Sequence, residues 1–444
     1  MDIADYVKNN LIDWPNWLNG LLLRLNCFGR LVYGMKYYSI KNNMKGIGNE
    51  NLLLKTVNNA IAHVPYYRKL YGNIEIHSIE EFHNKISFID KDEVMSHWEE
   101  FISDDIDWSK VHTCTTGGTS GKPLKLVMPN ERYAWELAYM HNMWEKAGWH
   151  YHTRGVIRNH DLKGRDYAIN PVLKEIIFDP HKMSEGYAKK VYQILKGYGI
   201  KFVTAYPSNA YQFCKLCLKQ GLDLDFINAF LCGSEGVTYE QKEFFLRHKI
   251  RILTWYGHSE KLILGSNDMC SWDIKMEPNY GYCEMIDPDG RTIFKEGELG
   301  ELVGTTYYNH YFPLIRYKTG DYAVLAKCNN CLELTEIIGR WDKSLIYKKD
   351  GTSTSLTILN VHGEFYEHID GMQYIQEKKG YIKVHLIINE KYTPKDDEFI
   401  LNHVAKAMGG KEYVDIKHVD KLTYLPNGKF LPLISKIDNP VVLS

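Results

Sequence analysis

An excess of charge of one sign is the plainest absence in this 444-residue chain, in which 54 Lys and Arg stand against 55 Asp and Glu. So even a balance leaves no global field to draw the chain to nucleic acid, and partners must be read from local sites. Long apolar runs are scarce as well. The most apolar stretch, WLNGLLLRLNCFGRLVYG at 17–34, is interrupted by Arg24 and Arg30 and is too short for a bilayer core of ~30 Å. Two readings of it stay open: an amphipathic helix packed on the main domain, or one lying on a membrane surface as a peripheral contact at the inner face. No cationic-then-apolar leader opens the sequence, and the nine cysteines are odd in number and scattered. Both features argue against a disulfide framework and lead us to expect a reducing, cytoplasmic setting. Internal repeats and low-complexity tracts are absent.

What is present is core-forming material. With 44% hydrophobic and 25% charged residues, the chain can bury a large interior and divide into two or three domains. Its 32 tyrosines suit sheets and ring-lined pockets. Helical spacing runs from 49 to 71 with an interruption at Pro65, and again over 131–149 through Ala134, Leu137, Ala138, His141 and Trp144. Helices at 185–198, 208–219 and 239–248 then alternate with the β-leaning runs KFVTAY, FINAFLCG and IRILTWYG. Such alternation predicts a largely parallel sheet covered on both faces. Past Tyr256 the texture changes to short strands with Asp-Gly and Lys-Glu-Gly corners, which we read as a smaller β-rich subdomain over about 262–338. A tail of domain size begins near GRWD, with its own strand YIKVHLIIN and a helix at 396–408. The boundary is placed at 340–343.

The stretch TTGGTSGKP at 115–123 lies between two β-leaning runs and reads as strand–loop–strand. It is not a Walker loop: Gly117 and Gly121 enclose three residues where that loop needs four, and Pro123 stands where it supplies a hydroxyl and enters a helix. Its composition still has a physical meaning beside that of an ordinary polar loop. Glycines let backbone amides converge on an anion, Thr115, Thr116, Thr119 and Ser120 add hydroxyl donors, and Lys122 adds charge.

That loop is one of six segments which together resemble the adenylate-forming enzymes, in particular the phenylacetate-CoA ligase branch and its relatives from capsular polysaccharide biosynthesis. TGGTSGKP is similar to the family's pyrophosphate-binding loop, GSEGVT at 233–238 to its adenine-site segment and YGHSE at 256–260 to its aromatic-glycine-x-hydroxyl-glutamate motif. PLIRYKTGD at 313–321 resembles the ribose-binding aspartate motif, GRWD at 339–342 the hinge, and LPNGKF at 425–430 the lysine-bearing lid loop. The segments fall in the family's order. The resemblance implies an α/β fold: a large N-terminal adenylation domain over 1–339, with helix-covered sheets and the β-rich subdomain, a hinge at 340–343, and a small mobile α+β lid domain over 344–444.

It also implies an AMP-forming ligase using ATP and Mg2+, in which a carboxylate attacks the α-phosphorus and pyrophosphate leaves. Thr116, Gly117, Gly118, Thr119, Ser120, Gly121 and Lys122 would hold the phosphates, and Glu260 the magnesium. Tyr256 would stack on adenine, with Gly233, Ser234 and Glu235 along its edge and Gly257 and Ser259 beside it. Asp321 would accept hydrogen bonds from both ribose hydroxyls, Arg340 would support the ribose or α-phosphate, and Lys429 would bridge the acid and the α-phosphate once the lid closes about Asp342 or Lys343.

The resemblance thins after the hinge. CoA-forming relatives carry a Gly-Val-Asn-Phe-Pro type segment there, and this chain has KKDGTSTSLTILNVHGEF at 348–365; use of CoA stays open. The ending resembles the capsule relatives, which implies a small carboxylic or amino acid passed to an amine or hydroxyl on a glycan, sugar-amine or other acceptor. An acyl-CoA ligase and a nucleotidyltransferase leaving AMP on its product are the alternatives. A degenerate scaffold would require lost motifs, whereas Lys122, Glu260, Asp321 and Lys429 are all kept. Cys270, Cys283, Cys328 and Cys331 admit a structural zinc site, which the resemblance favours, or plain reduced thiols. Cys214 and Cys217 continue the apolar spacing of a helix interior. Tyr206, Ser208 and Asn209 are the acyl-pocket candidates. Arg158, His160 and Arg165 either meet an anionic substrate or cover the sheet.

Overall fold

The computed structural model describes residues 11–25, 33–44, 50–115, 124–158, 162, 164–328, 331–340, 345–349, 353–359, 365, 368–424 and 430–437. Strands β1 (Val111–Thr115) and β2 (Lys125–Pro129) pair antiparallel, with Thr115 opposite Lys125. They are the two flanks of the glycine-rich stretch, whose residues 116–123 lie outside the described set.

The main sheet begins with β3 (Arg154–Ile157), β4 (Tyr167–Asn170), β5 (Glu175–Phe178), β6 (Phe202–Ala205), β7 (Ala229–Gly233) and β8 (Ile252–Gly257). Five of these, in the order β5-β3-β6-β7-β8, run parallel, and β4 closes the outer edge antiparallel. Residues alternate between two buried faces. Val203, Phe230, Cys232 and Ile252 pack with Ala210, Phe213 and the fully buried Cys214 and Cys217, while Phe202, Leu231 and Leu253 pack with Trp144 and Trp149. This is why the strands read as continuous apolar runs. The crossover helices start at polar caps: Ser184 accepts from the Tyr187 N–H, Pro207 opens Pro207–Lys219, and Thr238 forms a capping box with Gln241.

Strands β9 (Leu264–Ser266), β10 (Ile274–Met276), β11 (Gly281–Ile286), β12 (Leu299–Thr306), β13 (Tyr317–Cys328) and β14 (Leu332–Arg340) are all antiparallel, as the turn chemistry predicts. They do not make a separate sheet. Trp255 of β8 pairs with Ser266 of β9, so one sheet of twelve strands runs β4-β5-β3-β6-β7-β8-β9-β10-β14-β13-β12-β11. Without β9, the open edge of β8 would expose a row of unpaired amides and carbonyls.

Toward the N-terminus, helix Glu50–His63 stops at Val64, which is extended ahead of Pro65, and Pro65–Tyr71 starts anew. Helix Asn16–Leu25 lies along the β4 edge, where the buried Asn19 amide donates to the carbonyls of Leu11 (2.6 Å) and Ile169 (2.9 Å). Its packed side supports the first of the two readings; the other side turns Trp17, 75% exposed, and Leu25 outward. Among the described residues, no helix is long and apolar enough to cross a membrane.

The tail has its own core. After β15 (Leu345–Tyr347) and β16 (Ser353–Ser355), strands β17 (Ile369–Lys378), β18 (Tyr381–Ile388), β19 (Val414–His418) and β20 (Leu433–Ser435) form a sheet ordered β19-β18-β17-β20. Helix Pro394–Met408 covers it, burying Ile400, Val404 and Met408 against Tyr374, Val384 and Leu386. Gly409 ends that helix in the left-handed conformation, where a side chain would be strained.

Candidate functional site

The carboxyl ends of parallel strands are where open α/β sheets bind ligands, and the expected motifs collect there. Ala205 pairs with Cys232 and Gly233 with Trp255. Tyr206, Ser208 and Asn209 thus follow β6, Gly233, Ser234 and Glu235 end or follow β7, and Tyr256 and Gly257 end β8 beside Ser259 and Glu260. Gly233 has a packing reason, since a side-chain carbon there would stand 2.2 Å from the Trp255 ring. Ser234 next to it adopts φ +71°, a left-handed conformation uncommon for serine and typical of functional turns. The Ser208 N–H donates to the Glu235 carboxylate at 3.3 Å, tying the first two turns together.

Tyr256 and Asp321, 65 positions apart in the chain, meet directly: the phenol donates to Asp321 Oδ2 at 2.7 Å. Burial, reinforced by the Asp321 charge, raises the Tyr256 pKa well above its ordinary value, so it remains a donor. Asp321 is held by its strand. Its N–H donates to Thr319 Oγ1 (3.1 Å), the Thr319 hydroxyl donates to the Leu302 carbonyl (2.7 Å), and Gly320 N–H donates to Glu301 (3.1 Å). Arg340 is the register partner of Asp321 across β13 and β14. Upstream, buried Arg316 donates to both Glu284 oxygens (2.8 and 3.3 Å) and to the carbonyls of His83 and Ile86, anchoring the segment that leads into the motif.

Glu260 is 7% exposed, and its Oε2 lies 3.0 Å from His258 Nδ1. The end of β1 is close by: burial raises the Cys114 thiol pKa, with Lys261 opposing and Glu260 adding to the shift. The stem of the glycine-rich loop is thus within electrostatic reach of the buried carboxylate expected to hold magnesium. Lys261 is fixed by Glu136 at 2.8 Å and by the Arg132 guanidinium on its carbonyl at 2.6 Å.

The small domain reaches this edge through the base of its lysine-bearing loop. Tyr424 and Phe430 form an antiparallel bridge, and the Phe430 N–H donates to Glu235 Oε1 at 2.7 Å. Burial, with Glu235 adding, pushes the Tyr424 phenol up to about 12. Lys215 of Pro207–Lys219 binds the Ile369 carbonyl and lies 3.2 Å from Asp370 at the start of β17. Lys429, Asp342, Lys343 and the residues Thr116, Gly117, Gly118, Thr119, Ser120, Gly121 and Lys122 lie outside the described residues, as does the Arg340 side chain.

Among the described residues, no group of three or more His, Cys, Asp or Glu is placed to hold a metal ion, although all four cysteines are described. Cys270 is exposed on a turn organised by Asp268, whereas Cys283 and Cys328 pack their sulfurs against the core of the antiparallel strands. Sequence reading missed Trp255, Tyr424 and His258. Their only local signal is adjacency to a motif residue.

Residues 345–436 match the family described as the CapK C-terminal domain. A phenylacetate-coenzyme A ligase of Pseudomonas putida is 29% identical over 175 residues, 37% of this chain and 40% of that enzyme. The match thus spans less than half of the relative's length. Among solved structures, 2-hydroxyisobutyryl-CoA ligase in the postadenylation state with R3-HIB-AMP aligns at a TM-score of 0.66 and 13% identity, covering 87% of this chain and 88% of that one. The same enzyme in the thioesterification state aligns at 0.53, with 13% identity and coverage of 87% and 89%. An acyl acid amido synthetase with 2,4-DB aligns at 0.56 and 12% identity over 92% of this chain and 90% of that one. At such identities the likeness is one of fold, and the fold is that of the adenylate-forming ligases.

Proposed function

We propose that this chain is an AMP-forming ligase that activates a carboxylic or amino acid with ATP and passes the acyl group to an acceptor. One acid oxygen attacks the α-phosphorus, the bond from that phosphorus to the bridging oxygen breaks, and pyrophosphate departs with the electron pair. Two anions must be brought together, so counter-charge is the central requirement. Lys122 and the amides and hydroxyls of 116–121 meet the leaving phosphates, and Lys429 meets the acid and the α-phosphate. Asp321, braced by Tyr256, receives the ribose hydroxyls. A buried carboxylate at Glu260 fits magnesium, which when bound would neutralise phosphate charge.

The observation that carries the reading is the Phe430 N–H on Glu235. It sets the base of the lysine-bearing loop against the segment expected to line adenine, as adenylation requires. The test is acid-dependent exchange of pyrophosphate into ATP over a panel of acids. Lys429→Ala should lower exchange about 100-fold or more while ATP binding persists; exchange at the unmodified rate would refute the role.

For the acceptor we favour an amine or hydroxyl of a glycan precursor in surface polysaccharide modification, a reading supported by the match of 345–436 to the CapK C-terminal domain. CoA is the second reading, supported by the match to a phenylacetate-coenzyme A ligase. Mass analysis of the acylated product, with AMP released in either case, separates the two.

A further inference from the structure

One row of residues crosses the carboxyl edge of four parallel strands. Ile157 pairs with Ala205, Ala205 with Cys232 and Gly233 with Trp255, so Arg158, Tyr206, Gly233 and Trp255 are in register one step on. Gly233 contributes no side chain, and the Trp255 ring fills its place. The Arg158 guanidinium lies 5.5 Å from the centre of the Tyr206 ring and 5.9 Å from that of Trp255. Arg158 Nε and Nη2 are out of contact with solvent and have no hydrogen-bond partner among the described residues. Thr204 Oγ1, two strand positions back from Tyr206, and Ser208 Oγ are buried and have no partner among the described residues.

Arginine donors buried without an acceptor are costly, because the guanidinium keeps its charge and loses its water. Burial lowers the Arg158 pKa, which shows the same penalty. Aromatic faces offset part of the cost but supply no acceptor for the N–H groups. Arg154, on the same strand, differs in having a carboxylate partner in Glu175, although its Nε and Nη1 are also buried without an acceptor among the described residues. Arg158 has a planar fork of donors at the edge where a substrate acid must lie, which suits a planar, two-oxygen anion.

We propose that Arg158 is a specificity residue that binds a second anionic group, a carboxylate, on the acid being activated, so that the substrate is a dicarboxylic acid or an acidic amino acid. This rests on the adenylation reading and refines its substrate class. The reacting carboxylate is left for Lys429.

The experiment compares pyrophosphate exchange for pairs of acids that differ only in the distal group, a dicarboxylic acid against its monoamide. The unmodified chain should prefer the diacid by about 100-fold in kcat/KM. Arg158→Gln should bring that ratio close to one, and Arg158→Lys should restore part of it. Melting of the full chain with each diacid alone gives a second readout: stabilisation by the diacid should be present in the unmodified chain and lost in Arg158→Gln. A ratio near one in the unmodified chain, or equal losses for both members of each pair in Arg158→Gln, would overturn the assignment. Exchange with monoacids would then leave the adenylation reading standing, whereas no exchange with any acid would remove that reading itself.

Discussion

The floor of the cleft and the small domain above it are held by contacts of opposite kinds. Five residues before Asp321, the buried Arg316 guanidinium joins buried Glu284, two backbone carbonyls and the face of part-buried Phe88, 3.9 Å away. The small domain meets the sheet through contacts such as Phe430 with Glu235, Lys215 with Asp370 and Lys219 with Glu390, the last 3.9 Å apart and exposed on both sides. A region over-determined in this way keeps one geometry, and a small domain held by a few part-exposed polar contacts can exchange them for others. This is the division of labour that the proposed ligase, with a lid moving between its two steps, would require.

The sharpest way to break the comparison is at Arg316. Arg316→Met leaves the Glu284 carboxylate buried with His83 Nε2, 3.4 Å away, in place of the guanidinium, and burial already raises the Glu284 pKa despite the arginine. A loss of about 3–5 kcal/mol is expected in denaturant unfolding. Replacing Glu284 by Leu as well should recover most of it, because the uncompensated charge is then gone. A loss under ~1 kcal/mol for the single variant would show that the floor is not held as described.

Tyr256→Phe probes the join between two motifs. The substitution removes a hydrogen bond to a charged acceptor and should cost about 1.5–3 kcal/mol. Part of that should appear as a higher KM for ATP, since Asp321 loses its brace. An unchanged KM together with lower stability would make the pair purely structural.

How much of this was legible beforehand follows from where the deciding contacts lie. The crossover helices were readable because their signals are local: Ser184, Pro207 and Thr238 mark the starts and Pro65 marks a break. Strands β3, β4 and β5 were not, because each has four residues with three or four buried, too few for a period to show. The β-rich stretch was readable as antiparallel from its turns, but its continuity with the parallel strands was not, since the pairing of Trp255 with Ser266 is a contact no local pattern announces. The same limit applies at the site. Motif residues were named one at a time, while the Tyr256–Asp321 bond, the Glu235–Phe430 bond and the row that isolates Arg158 exist only once distant strands are side by side. Cysteine spacing left zinc and reduced thiols both open, because it says nothing of which way a strand turns its sulfurs.

Glu235→Gln tests the lid side. The amide keeps an acceptor for the Phe430 N–H but gives up the charge assistance, worth about 1 kcal/mol. Exchange should fall about fivefold, with unfolding stability changed by less than ~0.5 kcal/mol. That pattern is the inverse of Arg316→Met, which is large in stability, and equal effects in both assays would merge the two regions into one.

Lys215→Met should have the smallest effect. Lys215 is 21% exposed and Asp370 39%, so solvent screens much of the pair and its worth is below about 1 kcal/mol. The expected change in exchange rate is therefore two- to threefold, close to the noise of a single assay. Ionic strength separates it from that noise, because the Debye length shrinks from ~10 Å at 0.1 M salt to ~3 Å at 1 M. If Lys215 helps to seat the small domain, the unmodified chain should lose exchange rate with added salt more steeply than Lys215→Met. Parallel salt curves would mean that the lid is positioned by Phe430 and Glu235 without help from this corner.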